Sequence, residues 1–310
     1  MSEIHTNIER SVEENLIANF YDTMGVKTFN AGGYLWRSAG LRLFTPVPMV
    51  RPISLSTQDL EHMWKQGAFF VHFPTTGECP GFPGYMFVME DKNYDFGSIK
   101  SGDRRHNIRR GLKHCQVESI PFELLLEKAG PLILDTYYRQ GRNCDKAVEE
   151  GWRDYFRVAA TNPLFEAWAA FVSTELAAFK VEFTYHGVVQ ADMVFSRKDL
   201  LRYYPVNALL FFSTQQAIRR DGISSVSYGM TPVTGEPANL VSFKESMGFK
   251  KVDLNHRLEV NPLIKPAFSF PLNLALKAVA DHYYHRSAYA RIVSGLISRL
   301  LEQAKDGNGS

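Results

Sequence analysis

An α/β chain built on a mixed sheet is what these 310 residues predict, and three observations carry that reading. From residue 165 onward, strand-like and helix-like runs follow in the order strand, strand, strand, helix, strand, helix, strand, the pattern of a sheet with crossover helices. Residues 176–196 alternate strictly, with Phe179, Val181, Phe183 and Tyr185 between Lys180, Glu182 and Thr184, as a strand pair joined at His186-Gly187 requires. With 45 % hydrophobic residues, 22 Phe and 14 Tyr, the chain can bury a substantial core.

Taken in order, residues 10–25 read as a helix. Three strand-like runs follow, at 33–47, 67–74 and 84–96, separated by Gly- and Pro-rich stretches such as "ECPGFPG". "SGDRRHNIRRGLKHC" (101–115) reads as a helix capped by Ser101 or Asp103, and "QVESIPF" as a short strand. Two helical stretches come next, the first interrupted near Gly130-Pro131. Residues 165–173 lean to strand, and the 176–196 hairpin follows. "YYPVNALLFFSTQQAIRRDG" (203–222) is a helix with Asn207 as its cap and Gly222 as its stop. "SSVSYGM" is a strand, "ANLVSFKESMGF" a helix, and "KKVDLNHRLEV" (250–260) a final strand. Beyond Pro262 a tail of two helices is expected, the second packing through Ile292, Leu296, Ile297 and Leu300, with "KDGNGS" disordered at the end.

Charge and cysteine content narrow the function. A net charge of +2 is too balanced for wholesale nucleic-acid binding. Cys79, Cys115 and Cys144 form neither a disulfide framework nor a metal pattern, and suit a reducing compartment. The acidic, polar opening "MSEIHTNIERSVEENL" is unlike a signal peptide, and no apolar run reaches membrane-spanning length. A cytoplasmic protein is expected, with no metal. "DFG" at 95–97 lacks every companion of the kinase signature, and "HYYH" at 282–285 lacks further metal ligands.

One residue stands out. On a helical projection of about 100° per residue, Lys244 falls inside the apolar arc of Leu240, Val241, Phe243 and Met247. It is either a packed lysine whose ammonium snorkels to water or a cation directed into a site. A second constellation lies on the 101–115 helix. Arg105, Arg109 and Lys113 recur at i+4 on one face, with Ile108 and Leu112 on the anchoring side. It is either a basic face packed on acids such as Glu149 and Glu150 or a grip for phosphate oxygens.

The order and spacing of these motifs resemble the GNAT superfamily of acyltransferases, and within it the Fem-type branch that includes the peptidoglycan aminoacyl transferases. The resemblance runs over roughly residues 85–260. It rests on the arginine-rich helix "DRRHNIRRGLKHCQVESI", the helix opened by "YPVNALL" and closed at Gly222, Tyr228-Gly229 at a strand end, and Phe243-Lys244 before Gly248-Phe249. It implies a GNAT-like α/β fold in two tandem lobes: a degenerate N-terminal lobe at 1–125, a catalytic lobe at 126–262 and a helical tail at 263–310. It also implies that Lys244 meets the carbonyl oxygen that becomes negative during acyl transfer, and that Arg105 and Arg109 touch phosphate. The junction "SRKDLLRYYPVNALL" carries no glycine, a departure from ordinary GNAT enzymes that the Fem-type branch shares. Arg197, Lys198 and Arg202 could supply charge there.

The expected function is therefore transfer of an activated acyl or aminoacyl group to an amine, without a covalently bound cofactor. The co-substrate is acyl-CoA or aminoacyl-tRNA, and no coiled-coil arm for tRNA is visible. Lys244, Tyr228 and Tyr204 are the candidate catalytic residues. Arg105, Arg109, Phe243, Gly229, Asn207 and Arg202 are the candidate substrate and phosphate contacts. Asp192 could act as a base or as a hydrogen-bonded structural acid, and His186 is read as a turn residue. The apolar tail "PAFSFPLNLALKAV" could touch lipid or a membrane surface. A rival reading is a non-catalytic binding protein on the same scaffold, taking an anionic ligand or RNA on its basic helix.

Overall fold

The computed structural model describes residues 2–48, 51–75, 81–141, 144–268, 272–283 and 287–307. Its helices are α1 Ser2–Thr23, α2 Thr57–Lys65, α3 Gly102–His114, α4 Phe122–Lys128, α5 Gly130–Arg139, α6 Lys146–Ala160, α7 Pro205–Arg219, α8 Ala238–Ser246, α9 Leu272–His282 and α10 Ala288–Gly307. Its strands are β1 Thr28–Ala31, β2 Tyr34–Ser38, β3 Leu43–Val47, β4 Phe70–Thr75, β5 Phe82–Met89, β6 Cys115–Ile120, β7 Phe165–Val172, β8 Glu175–Tyr185, β9 Val188–Ser196, β10 Ser225–Met230 and β11 Lys250–Val260. This is the expected mixed α/β architecture. The chain forms two compact units, each assembled from separate stretches of sequence.

The first unit comprises residues 1–24, 87–229 and 238–251. Its strands run in the order β10-β9-β8-β7-β6, with β10 parallel to β9 and the rest antiparallel. The β8–β9 hairpin turns at His186 and Gly187, with φ of 49° and 72°, the left-handed pair that a two-residue turn needs. A side chain at Gly187 would also lie 2.7 Å from the Gly222 carbonyl. Two aromatic layers cover one face of the hairpin, with Phe156 against Phe179 and Trp152 against Phe195. Helix α7 packs on β6 to β9, where Ala208 and Leu209 meet Ala170 and Ala178.

The alternation in β8 does not mark a solvent face. Lys180 and Glu182 are each 1 % exposed. They pair with one another, Lys180 donates to Ser213 Oγ on α7 at 3.1 Å, and Trp168 Nε1 donates to Glu182 Oε1 at 3.1 Å. Burial on both faces is tolerated because each polar group meets a partner.

The cap of α7 corrects the sequence reading. Asn207 lies inside the first turn, whereas Tyr204 holds the N-cap position in a left-handed conformation (φ 55°, ψ 42°) without a side-chain cap. Pro205, with φ preset and no N–H to satisfy, opens the helix. Glu149 and Glu150 pair with Arg153 and Lys146 of their own helix α6, at 3.6 and 3.7 Å.

The second unit comprises residues 25–86, 230–237 and 252–310. Its strands run β1-β2-β3-β4-β11-β5, with β3 and β4 parallel and β4 and β11 antiparallel. The expected run at 33–47 is two strands, broken where Leu41 and Arg42 take φ of 51° and 54°. Trp36, Phe44, Met63 and Val71 make one apolar cluster, and Leu43, Phe70, Phe82, Leu258 and Leu296 another. Of the expected packing residues on α10, Leu296 and Ile297 are fully buried, and Ile292 and Leu300 pack beside them. Strand β1 and helix α2, both missed in the sequence, belong here. Ser56 and Asp59 form a reciprocal capping box at the start of α2. The tail end expected to be disordered is instead helical through Gly307, and residues 308–310 lie outside the described residues.

Candidate active site

The Phe-Lys-x-x-x-Gly-Phe motif folds back on itself. Helix α8 stops at Gly248, whose φ of 88° is left-handed and favours glycine. The Phe249 N–H then reaches back to the Lys244 carbonyl at 3.3 Å. The Phe249 ring meets Tyr228 edge-on, centroids 5.6 Å apart, and the Tyr228 ring faces the Lys244 ammonium at 4.8 Å, with Phe87 at 5.0 Å. Each motif residue has a geometric reason to be there.

Burial bears on the snorkelling reading of Lys244. At 4 % exposure it does not snorkel, and it is the buried residue of α8. The expected apolar arc is corrected accordingly: Leu240 is 37 % exposed, whereas Lys244 and Met247 are inside. The faces of Phe87 and Tyr228 hold the cation by attraction to their π electrons, an interaction that strengthens as water is removed.

The helix is bolted from behind. Tyr94, fully buried, donates its hydroxyl to the Met247 carbonyl at 2.6 Å, and burial pushes its pKa above the ordinary phenol value. A Cβ at Gly248 would lie 3.1 Å from the Ser98 carbonyl and 3.2 Å from the Tyr94 ring. Strand β10 ends on Tyr228-Gly229, where Gly229 has φ of 85° and donates its N–H to the buried Ser227 Oγ at 3.2 Å.

The arginines of α3 divide into distinct roles. Ser101 caps the helix by accepting from the Arg104 N–H at 3.2 Å. Arg105 turns back to the carbonyls of Ile99 and Lys100. Exposed Arg109 lies 5.1 Å over Phe96, and exposed Arg110 lies 5.1 Å over Tyr204. Arg104, which the sequence reading passed over, joins three helices. Its Nε donates to Ser246 Oγ at 2.9 Å, its plane lies 4.6 Å over Phe243, and its Nη1 donates to Asn207 Oδ1. Burial lowers its pKa. Asn207 and Phe243 are thus brought together, through Arg104, beside the helix that carries Lys244.

The other candidates are dispersed. Tyr204 packs on α3 through Arg110, and its carbonyl would lie 2.7 Å from a side chain at Gly111. Arg202 is exposed over Tyr203 at 4.9 Å. Arg197 is tied to Glu175 and Asp199, both at 2.6 Å, and Lys198 is exposed. Asp192 is exposed and accepts from Tyr155 at 2.6 Å, which gives it a structural partner at the surface. His186 stacks on Tyr185 with centroids 4.0 Å apart. Asp95 of "DFG" caps a short 3-10 turn by accepting from Gly97 N–H at 2.6 Å. Burial raises the Cys115 thiol to about 11, so it stays protonated at neutral pH. Cys79 and the second half of "HYYH" lie outside the described residues. Among the described residues no three His, Cys, Asp or Glu side chains converge as metal ligands.

No protein-family model and no curated protein matches this sequence. Solved structures do. FemX superposes with a TM-score of 0.58 at 10 % identity, over 81 % of this chain and 92 % of that one. L-PGS from Bacillus licheniformis gives 0.55 at 17 %, over 91 % and 96 %. The C-terminal domain of a putative lysylphosphatidylglycerol synthetase from Agrobacterium fabrum gives 0.54 at 12 %, over 84 % and 93 %. The chain has a Fem-like fold. At these identities the likeness speaks for fold alone, and the Fem-like chain's chemistry must be argued from its own side chains.

Proposed function

We propose that this chain is an N-acyltransferase that moves an activated acyl or aminoacyl group to an amine by direct attack. The carrying observation is Lys244, 4 % exposed, held over Tyr228 and Phe87 beside a strand end at Gly229. In the reaction the amine nitrogen bonds to the acyl carbon and the carbonyl electrons move onto oxygen. The bond to the leaving sulfur or ribose oxygen then breaks, and the amine proton leaves with that group or to solvent. A fixed cation in a water-poor setting stabilises the intermediate oxyanion by several kcal/mol. Lys244 supplies that cation, Tyr228 and Gly229 position the acyl group, and Arg105 and Arg109 contact phosphate. Arg104, Phe243 and Asn207 hold α8 in register. The reading places the chemistry on the first unit, where Phe87 and the arginines of α3 join Tyr228, Gly229 and Lys244 of the 126–262 stretch, rather than on 126–262 alone with 1–125 as a separate lobe. It is consistent with the fold that FemX and lysylphosphatidylglycerol synthetase share.

Acyl-CoA and aminoacyl-tRNA are the competing co-substrates. The rival, a binding protein without turnover, is favoured by one observation: Arg109 and Arg110 are exposed and backed by aromatic rings, as in surfaces that take nucleic acid. A melting panel with CoA, acyl-CoA, uncharged tRNA and charged tRNA separates them. A ligand at a hundred times its dissociation constant stabilises by about 2.7 kcal/mol. A shift with acyl-CoA, or with charged but not uncharged tRNA, together with product, supports the transferase. A shift that Lys244→Ala leaves unchanged, without product from any donor, supports the binding protein.

A further inference from the structure

Strand β9 lies inside the sheet, between β8 and β10, yet its middle is open. Gln190, Ala191, Met193 and Val194 are half-buried and Asp192 is exposed, whereas Val188, Val189, Phe195 and Ser196 at the two ends are buried. The pairing explains the difference. β10 runs beside β9 from Ser225 against Val188 to Ser227 against Gln190, and no further. Beyond that point the strands part, with half-buried Tyr228 and Gly229 on the β10 side of the opening. Each strand rises about 3.3 Å per residue, so Asp192, two residues past Gln190, stands roughly level with Gly229, two residues past Ser227. At the narrow end Gln190 donates Nε2 to the Ala191 carbonyl at 3.1 Å, and that nitrogen would lie 3.9 Å from a side chain at Gly229.

Asp192 is placed there by a bulge. The β8–β9 register shifts between Val181, opposite Met193, and Glu182, opposite Ala191, which leaves Asp192 as the extra residue. A bulge of this kind re-aims a side chain. Tyr155 on α6 donates its hydroxyl to the Asp192 carboxylate at 2.6 Å, and the Tyr155 ring is set edge-on between Phe20 and Phe165, with centroids at 5.1 and 6.1 Å. Among the described residues no cation pairs with this carboxylate. A fixed acid at the rim of an opening that ends on Tyr228-Gly229 is suited to a cationic ligand. The transferase reading supplies one. An alkylamine in neutral water is an ammonium ion, and its nitrogen has no electron pair for attack until a proton has left.

We propose that Asp192 is the acceptor subsite. Its carboxylate binds the acceptor's ammonium group and takes one proton from it, and the freed electron pair attacks the acyl carbon on the Tyr228 side of the opening. The proton then passes from Asp192 to solvent. Tyr155 is a positioning residue that holds the carboxylate. The proposal rests on the transferase reading and names the charge of the acceptor that reading requires.

The test compares acceptors that differ in charge. The native chain, Asp192→Asn and Tyr155→Phe are assayed at neutral pH with acyl-CoA and with charged tRNA as donors. The acceptors are ethanolamine and cadaverine, which are ammonium ions there, and hydroxylamine, which is uncharged. Asparagine still accepts from Tyr155 and phenylalanine keeps the ring packing, so both variants should melt with the native chain. Asp192→Asn is expected to lower kcat/KM for the two ammonium acceptors by about tenfold or more and to leave hydroxylamine within about twofold. Tyr155→Phe should fall between native and Asp192→Asn. Equal loss with hydroxylamine, or no loss with either ammonium acceptor, overturns the proposal while the transferase reading stands. So does a native chain that acylates hydroxylamine and neither ammonium acceptor. A native chain that acylates none of the three with either donor overturns the transferase reading and the proposal with it.

Discussion

Lys180 and Lys244 are both buried, at 1 % and 4 % exposure, yet they are buried by different means. Lys180 lies on a central strand and is closed off by the Glu182 carboxylate and the Ser213 hydroxyl, with Trp168 and Arg220 also on the acid. Lys244 lies at the end of a short helix against the faces of two aromatic rings. A carboxylate pairs directly with an ammonium charge, whereas a ring face attracts it through its π electrons. The first is the ion pair of a strand core, and the second is the setting in which we propose an oxyanion is met. Residue type and burial alone would not separate them; the chemistry of the neighbours does.

The comparison breaks first at Lys180. Lys180→Ala leaves buried Glu182 with only the more distant Arg220 cation, 3.9 Å away, and the expected loss is about 3 kcal/mol in denaturant unfolding. Replacing both partners, Lys180→Met with Glu182→Leu, should return stability to within about 1 kcal/mol of native, because an apolar pair replaces the ion pair without an orphaned charge. If the double variant is as weak as the single one, the pair does more than neutralise itself.

A third way of burying a titratable group sharpens the contrast. His72 and His256 in the second unit, 2 % and 0 % exposed, share one hydrogen bond of 3.0 Å between Nε2 and Nδ1. Burial holds both pKa values below the ordinary value, His256 at about 4. The unfolded chain therefore binds more protons than the folded one in acid. The contribution is complete above about pH 6.5 and is lost as pH falls from there towards 4. At pH 5 His256 alone should account for about 2 kcal/mol of lost stability, measured as a shift in the urea midpoint. His256→Gln should flatten that part of the profile.

The smallest effect tests the support of α8. Gly248→Ala forces a side chain into a left-handed position against the Ser98 carbonyl, at a cost of about 1–2 kcal/mol, seen in thermal melting. Because α8 carries Lys244, turnover should fall as well, while Lys180 variants with restored stability should keep it.

Much of this was legible in the sequence. The β8–β9 hairpin followed from alternation and from His186-Gly187, and α10 from the spacing of Leu296 and Ile297. Lys244 was visible because it broke an apolar arc. What escaped depended on contacts between distant segments. Arg104 looked like one arginine among four, and only the fold brings Ser246 and Asn207 to it. Lys180 and Glu182 read as the polar side of a strand because the sequence does not show that α7 lies over them. Asn207 resembled a cap, yet Pro205 starts the helix two residues earlier. The start of α2 was readable from Ser56 and Asp59, three residues apart as a capping box requires, and was missed.

The central claim is that the ammonium of Lys244 supports the reaction without supporting the fold. It is tested most directly by Lys244→Met, which keeps the stem and removes the charge. Acyl transfer should be followed for native and variant protein with each donor that stabilises the native chain. The account predicts a melting temperature at or above the native value and turnover lower by about 10²–10³. Equal turnover in a well-folded variant would contradict it and return Lys244 to the role that Lys180 plays.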